Sequence, residues 1–231
     1  MGEPSFLGDA HFWVGCVCVV SGLAAFAARK GTRVHRAAGQ LFVITMALLT
    51  ASGLWLSIAR DILFTVFLSA LAFHAFVSGW GAAIGNRLLG QTIERAAPFV
   101  SALIAIGAFY GGLCAAATPE GLLNGLPPAA FYAAAGISGL MCVLDTLFVL
   151  KRPRSGQRRL TRHLWRMGFS FFLATGIFFF GNNHVLPAAL RTPLFLSAPV
   201  LAVIIWTALY ALRTRFGLFE KNLSAPVGGH T

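Results

Sequence analysis

Charge is what this chain of 231 residues has least of. Asp, Glu, Lys and Arg together make up 11% of it, and only seven residues are acidic. A soluble domain carries about 25% charged residues. With 57% hydrophobic residues and a mean hydropathy of +0.76, water cannot solvate the surface such a chain would present. Soluble enzymes and nucleic-acid-binding domains are excluded on that ground. Cysteine is also scarce. Cys16, Cys18, Cys114 and Cys142 all fall in apolar stretches, with no C-x-x-C pair and no zinc spacing, so they read as small hydrophobes rather than a disulfide or metal framework. No H-E-x-x-H, phosphate-binding loop, G-x-S-x-G or dinucleotide glycine motif occurs. Short alternating segments are missing too, which excludes a membrane β-barrel.

What the chain does have is long apolar runs. Seven stand out, at His11–Ala28, Ala37–Ile58, Ile62–Ile84, Ala97–Ala117, Ala129–Leu150, Leu164–Phe180 and Pro193–Leu212. Each is close to the ~20 residues needed to cross a hydrocarbon core. Backbone polar groups in lipid must be satisfied internally, so the runs are expected to be helices. The expected fold class is therefore all-α, a polytopic bundle of seven transmembrane helices. Residues 1–10 form an outer segment, 11–212 a single transmembrane domain, and 213–231 a cytoplasmic tail whose end, from Ser224, reads as disordered. Glu3 and Asp9 take the place of the basic flank of a cleaved signal peptide.

The basic residues sort by side. Sixteen of the eighteen fall in alternate gaps, in the tail or just inside an adjoining span, and only Arg60 and Arg191 lie on the other side. The positive-inside bias then sets the N-terminus outside and the C-terminus in the cytoplasm of a bacterial inner membrane. This distribution also accounts for the net charge of +11 without any nucleic acid partner. The fifth gap, with Lys151, Arg152, Arg154, Arg158, Arg159 and Arg162, is denser than orientation needs. It is expected to meet anionic lipid head groups at the cytoplasmic face, at about 1 kcal/mol per basic residue.

Ionisable residues at membrane depth are costly and mark function. Counting ~1.5 Å per residue along each span places Asp145 and Arg166 within ~2 Å of the same depth, which predicts a buried ion pair. His163 and His35 lie nearer the inner face, His74 stands alone at mid-depth, and His11 and His184 mark the outer edge. Gly81–Gly85 and Gly107–Gly111 have the G-x-x-x-G spacing of close helix packing.

Two segments carry a resemblance. Lys30-Gly-Thr-Arg-Val-His35-Arg36-Ala-Ala-Gly39 and His163-Leu-Trp-Arg166-Met167 resemble the paired His-Arg-x-x-Gly and His-x-x-Arg-Met motifs of an uncharacterised family of bacterial multi-pass membrane proteins, a domain of unknown function. Asn182 stands where that pattern carries Gln. A looser similarity in the placing of histidines and arginines links the chain to b561-type membrane cytochromes. The resemblance implies no activity, but it singles out His35, Arg36, Gly39, His163, Arg166 and Met167.

Three functions compete for these residues. In the working reading, haem b is ligated by His35 and His163, with Arg36 and Arg166 at its propionates and His74 in the same pocket, and the protein transfers electrons to a membrane partner. In the second, the polar cluster only fixes helix packing in a scaffold or accessory subunit. In the third, Asp145, His163 and Arg166 relay protons in a small-molecule transporter.

Overall fold

The computed structural model describes residues 6–85, 87–151 and 156–215. Among these are seven long helices and no strand: α1 (Phe6–Ala27), α2 (Arg33–Ala59), α3 (Leu63–Ile84), α4 (Leu88–Ala117), α5 (Pro128–Lys151), α6 (Gly156–Gly176) and α7 (Pro193–Arg215). All seven are long and apolar enough to span a membrane. For α6 the span includes the π-helical turn Ile177–Gly181 that continues it.

Contacts between distant residues sort the helix ends. At one end His35 on α2 reaches Ala25 on α1, His163 on α6 reaches Gly79 on α3, and Gln157 on α6 reaches Thr214 on α7. At the other, His11 on α1 meets Ser52 on α2. There Asn124, between α4 and α5, donates to Asp61 O and accepts from Leu63 N, which ties two loops together. The first end holds Arg29, Lys30, Arg33, Arg36, Arg87, Arg95, Lys151, Arg158 and Arg213, and is called the basic end below. Arg60 and Arg191 mark the far end.

Two helices begin well before their apolar runs. α4 starts at Leu88, nine residues ahead of the expected Ala97, and α6 at Gly156, eight ahead of Leu164. Hydropathy alone ends a span at its first charge. In both helices an early charged residue is paired inside the bundle, Glu94 of α4 with Arg159 of α6, while Arg95 and Arg158 on the outer faces are exposed, so the helix continues through them. Arg152, Arg154 and the Ser224–Thr231 tail lie outside the described residues.

The bundle has two apolar cores that share one pair of helices. On one side Cys18, Phe42, Met46, Phe76, Phe171 and Val203 join α1, α2, α3, α6 and α7. On the other Leu71, Ala75, Ile104 and Met141 join α3, α4 and α5, with Trp165 and Phe169 of α6 packed against them. α3 and α6 therefore form a central wall with a core on each face. They approach closely at Gly79, where an added Cβ would lie 3.0 Å from Arg166 Cβ and 3.3 Å from Met167 N. The G-x-x-x-G spacings do different jobs. Gly81, Gly107 and Gly111 leave room for Ile93, Phe67 and Phe131, whereas Gly85, at φ 65°, ends α3.

Large apolar side chains such as Trp13, Leu103 and Leu194 face outward. Several buried polar residues face inward. Thr45, Thr50, Ser57 and Thr175 satisfy their hydroxyls on the carbonyl four residues back in their own helix. An apolar exterior around a partly polar interior suits a lipid surround, where association rests on packing and internal hydrogen bonds.

Candidate functional site

The polar interior is centred on Asp145. It lies on the α5 face that also buries Ser138 and Met141, three- and four-residue steps along one side of the helix. Its carboxylate is ringed by four side chains from three other helices. Arg166 Nη2 donates to Oδ1, and Arg162 Nη1 lies 2.8 Å from the same oxygen. His74 Nε2 donates to Oδ2 at 2.9 Å, and Ser101 Oγ is 3.3 Å from it. Asp145 and Arg166 are 0% exposed and Arg162 is 3% exposed. Each guanidinium also covers an aromatic ring, Arg162 over Phe148 and Arg166 over Trp165, both at 4.3 Å.

Depth counting put Asp145 beside Arg166, and the two are in contact here. It left His74 alone, which the structure corrects: His74 is a partner of Asp145. Arg162 was expected among lipid head groups and is instead buried on Asp145, away from any head group. Arg159 does not face lipid freely either, because Nη1 and Nη2 grip Glu94 at 2.5 and 3.2 Å. Lys151 and Arg158 are exposed, as lipid contact requires. The signal that sequence reasoning missed is the spacing of Arg159, Arg162 and Arg166, which is one α6 face turned toward α4 and α5.

A second group lies at the basic end, in the other half of the bundle. His35 Nδ1 donates to Ala25 O at 2.9 Å, and His163 Nδ1 donates to Gly79 O at 3.0 Å. A carbonyl can only accept, so both rings carry their proton on Nδ1 and leave Nε2 as a lone pair when neutral. Lys30 closes the group. Its Nζ donates to Ala25 O and Phe26 O at 3.1 and 2.9 Å and rests 4.5 Å from the centre of the Tyr210 ring. Burial brings the Lys30 amine down to about 8. His35 and Lys30 are within electrostatic range of His163, so the Lys-Gly and His-x-x-Arg motifs meet in space. Arg36 is exposed, and nothing stands within 4 Å of a Cβ at Gly39. Arg166 and His74 belong to the Asp145 cluster and not to this one.

The third feature is a cavity of about 370 Å³ at the far end, between α1, α2, α3 and the end of α6. His11, Arg60 and Asn182 are its polar rim, while Leu49, Leu68, Ala72 and Phe178 supply apolar wall. The π-helical turn contributes Ile177, Phe178 and Gly181. Such turns are rare in helices and often mark functional sites. Met46 lies at its base, in the core with Phe42 and Phe171, all nearly or fully buried. His11 Nδ1 donates 2.8 Å to Ser52 Oγ, whose own hydrogen goes to Leu48 O, while His184 is exposed.

Among the described residues no group of three or more His, Cys, Asp or Glu is placed to hold a metal ion. No protein-family model, curated protein or solved structure matches the chain.

Proposed function

We propose that the chain is a multi-pass protein of the bacterial inner membrane that takes up a small amphipathic organic anion through the far-end cavity, as a carrier does. The observation that carries this reading is the cavity's lining: Arg60 and Asn182 near the loops, mostly apolar side chains with the small hydroxyls of Thr50, Ser57 and Ser69 among them, and the Met46, Phe42 and Phe171 core toward the basic end. Its volume is at the lower end of the ~300–1,000 Å³ typical of small-molecule sites. Arg60 supplies the charge that an anionic group meets, Asn182 a hydrogen-bond donor, and Phe178 with Leu68 the surface for a short apolar tail. With the basic loops in the cytoplasm, the cavity faces the outside.

The test is thermal stability of the detergent-purified protein against a series of straight-chain carboxylates and alkyl phosphates. Saturable stabilisation is expected for short members, weakened by Arg60→Gln and abolished by Ser69→Leu, which fills the cavity. The reading is overturned if no member stabilises the protein, or if Ser69→Leu responds as the wild type does.

A second reading, haem b between His35 and His163, has an observation of its own in the two rings with Nε2 left as a lone pair. The residues fit only in part. Arg166 is committed to Asp145, which leaves Arg36 as the expected propionate partner. When bound, the group would supply one-electron chemistry, with the Ala25 and Gly79 carbonyls fixing the ring orientations. Protein made in haem-replete cells should then show a Soret band that His35→Ala and His163→Ala each remove while His11→Ala does not. A colourless wild type rules this out.

A further inference from the structure

We propose that Arg162 and Arg166 hold a small monovalent inorganic anion, of the halide or nitrate class, inside the α3–α4–α5–α6 half of the bundle. Two observations meet here. The first is charge. The buried network contains two carboxylates, Glu94 and Asp145, against three guanidiniums, Arg159, Arg162 and Arg166. Arg159 and Glu94 pair with each other, so Asp145 alone faces two guanidiniums. The remainder is at least one positive charge, whichever form His74 takes. An uncompensated charge in such a place is strongly destabilising.

The second is donors without acceptors. Arg162 Nε and Nη2 and Arg166 Nε and Nη1 are buried with no hydrogen-bond partner. Asp145 cannot take them. Its Oδ1 already faces both arginines, and its Oδ2 faces His74 and Ser101. Each guanidinium carbon lies 4.3 Å from the centre of an aromatic ring, Phe148 or Trp165, and the free N–H groups lie in the guanidinium plane. The two arginines are one turn apart on α6 and share one carboxylate oxygen, which keeps the guanidiniums adjacent. A single anion bonded to both satisfies donors and cancels the excess. A monovalent ion matches the excess of one, whereas a divalent ion overshoots it. Lipid phosphates do not reach side chains that are 0% and 3% exposed.

Purified protein is melted in chloride, bromide, nitrate and gluconate at equal ionic strength, and ³⁵Cl line width is recorded on the same samples. In the wild type the midpoint is expected to rise and saturate with chloride, bromide or nitrate but not with gluconate, and the protein should broaden the ³⁵Cl line until bromide displaces it. Arg162→Met, which removes the excess charge, should lose both effects. Arg158→Gln, at an exposed arginine, should keep them. Equal midpoints in all four salts with no line broadening mean that water fills the site, and the proposal fails. It fails also if Arg162→Met keeps the dependence or Arg158→Gln removes it. Should Arg162→Met not fold, the wild-type salt series and the bromide displacement decide alone.

Discussion

His74 and Asp145 are 71 residues apart in sequence and 2.9 Å apart in space, and that contact ties α3 to α5 through the middle of the bundle. Because Asp145 also serves Arg162 and Arg166, its loss leaves two buried cations. Loss of one arginine leaves a matched pair. Asp145→Asn is therefore expected to cost about 3–5 kcal/mol, and Arg166→Met clearly less. Denaturation of both variants in the same detergent checks the order. Equal costs, or a harmless Asp145→Asn, contradict it.

The α3–α6 approach predicts a contrast between two glycines. At Gly79 a methyl group meets Arg166 Cβ and the Met167 backbone, so Gly79→Ala should force the helices apart at about 1–3 kcal/mol. At Gly39 the space is open, and Ala in mid-helix should add about 0.5–1 kcal/mol of stability. Gly39 closes the His35-Arg36-Ala-Ala-Gly39 segment, so an activity lost in a stabilised Gly39→Ala protein would assign that glycine a functional task.

Lys30 titrates at about 8 in the fold against 10.5 free in solution. Between those values the unfolded chain binds more protons than the folded one, so stability rises with pH across that window. The gain is small, since the amine is half exposed and screened. Comparing wild type with Lys30→Met from pH 7 to pH 11 isolates it. The wild type should gain relative to the variant between about pH 8 and pH 10.5, and a flat difference would show that the amine is not desolvated.

Orientation in the membrane is checked by reporter fusions. Fusions after Lys221 should report the cytoplasm and fusions in the Thr118–Pro128 loop the outside. The opposite pattern would turn the far-end cavity toward the cytoplasm.

Hydropathy made the seven helices legible, because each apolar run is long and the gaps are short. It failed at the starts of α4 and α6, where Glu94 and Arg159 neutralise each other inside the bundle. Depth counting along separate spans brought Asp145 to Arg166, since the two lie near one level. It could not give His74 its partner, because which helices are neighbours depends on packing at residues such as Gly79. Arg162 was assigned with Arg158 and Arg159 as one basic run, although a helix turns successive residues to different sides. The cavity has no sequence signature, since its wall is built from pieces of four helices.

The charge on α6 also bears on whether this helix, long and apolar enough to span a membrane, can be inserted as one. Its first three turns carry Arg158, Arg159, Arg162, His163 and Arg166, and a central arginine opposes translocon insertion by about 2.5–3.5 kcal/mol. The partners that offset this, Glu94 and Asp145, sit on α4 and α5 and leave the ribosome first. α6 thus has acceptors waiting when it emerges, and a chain deprived of them should insert one helix fewer than the wild type, which moves its C-terminus to the opposite face.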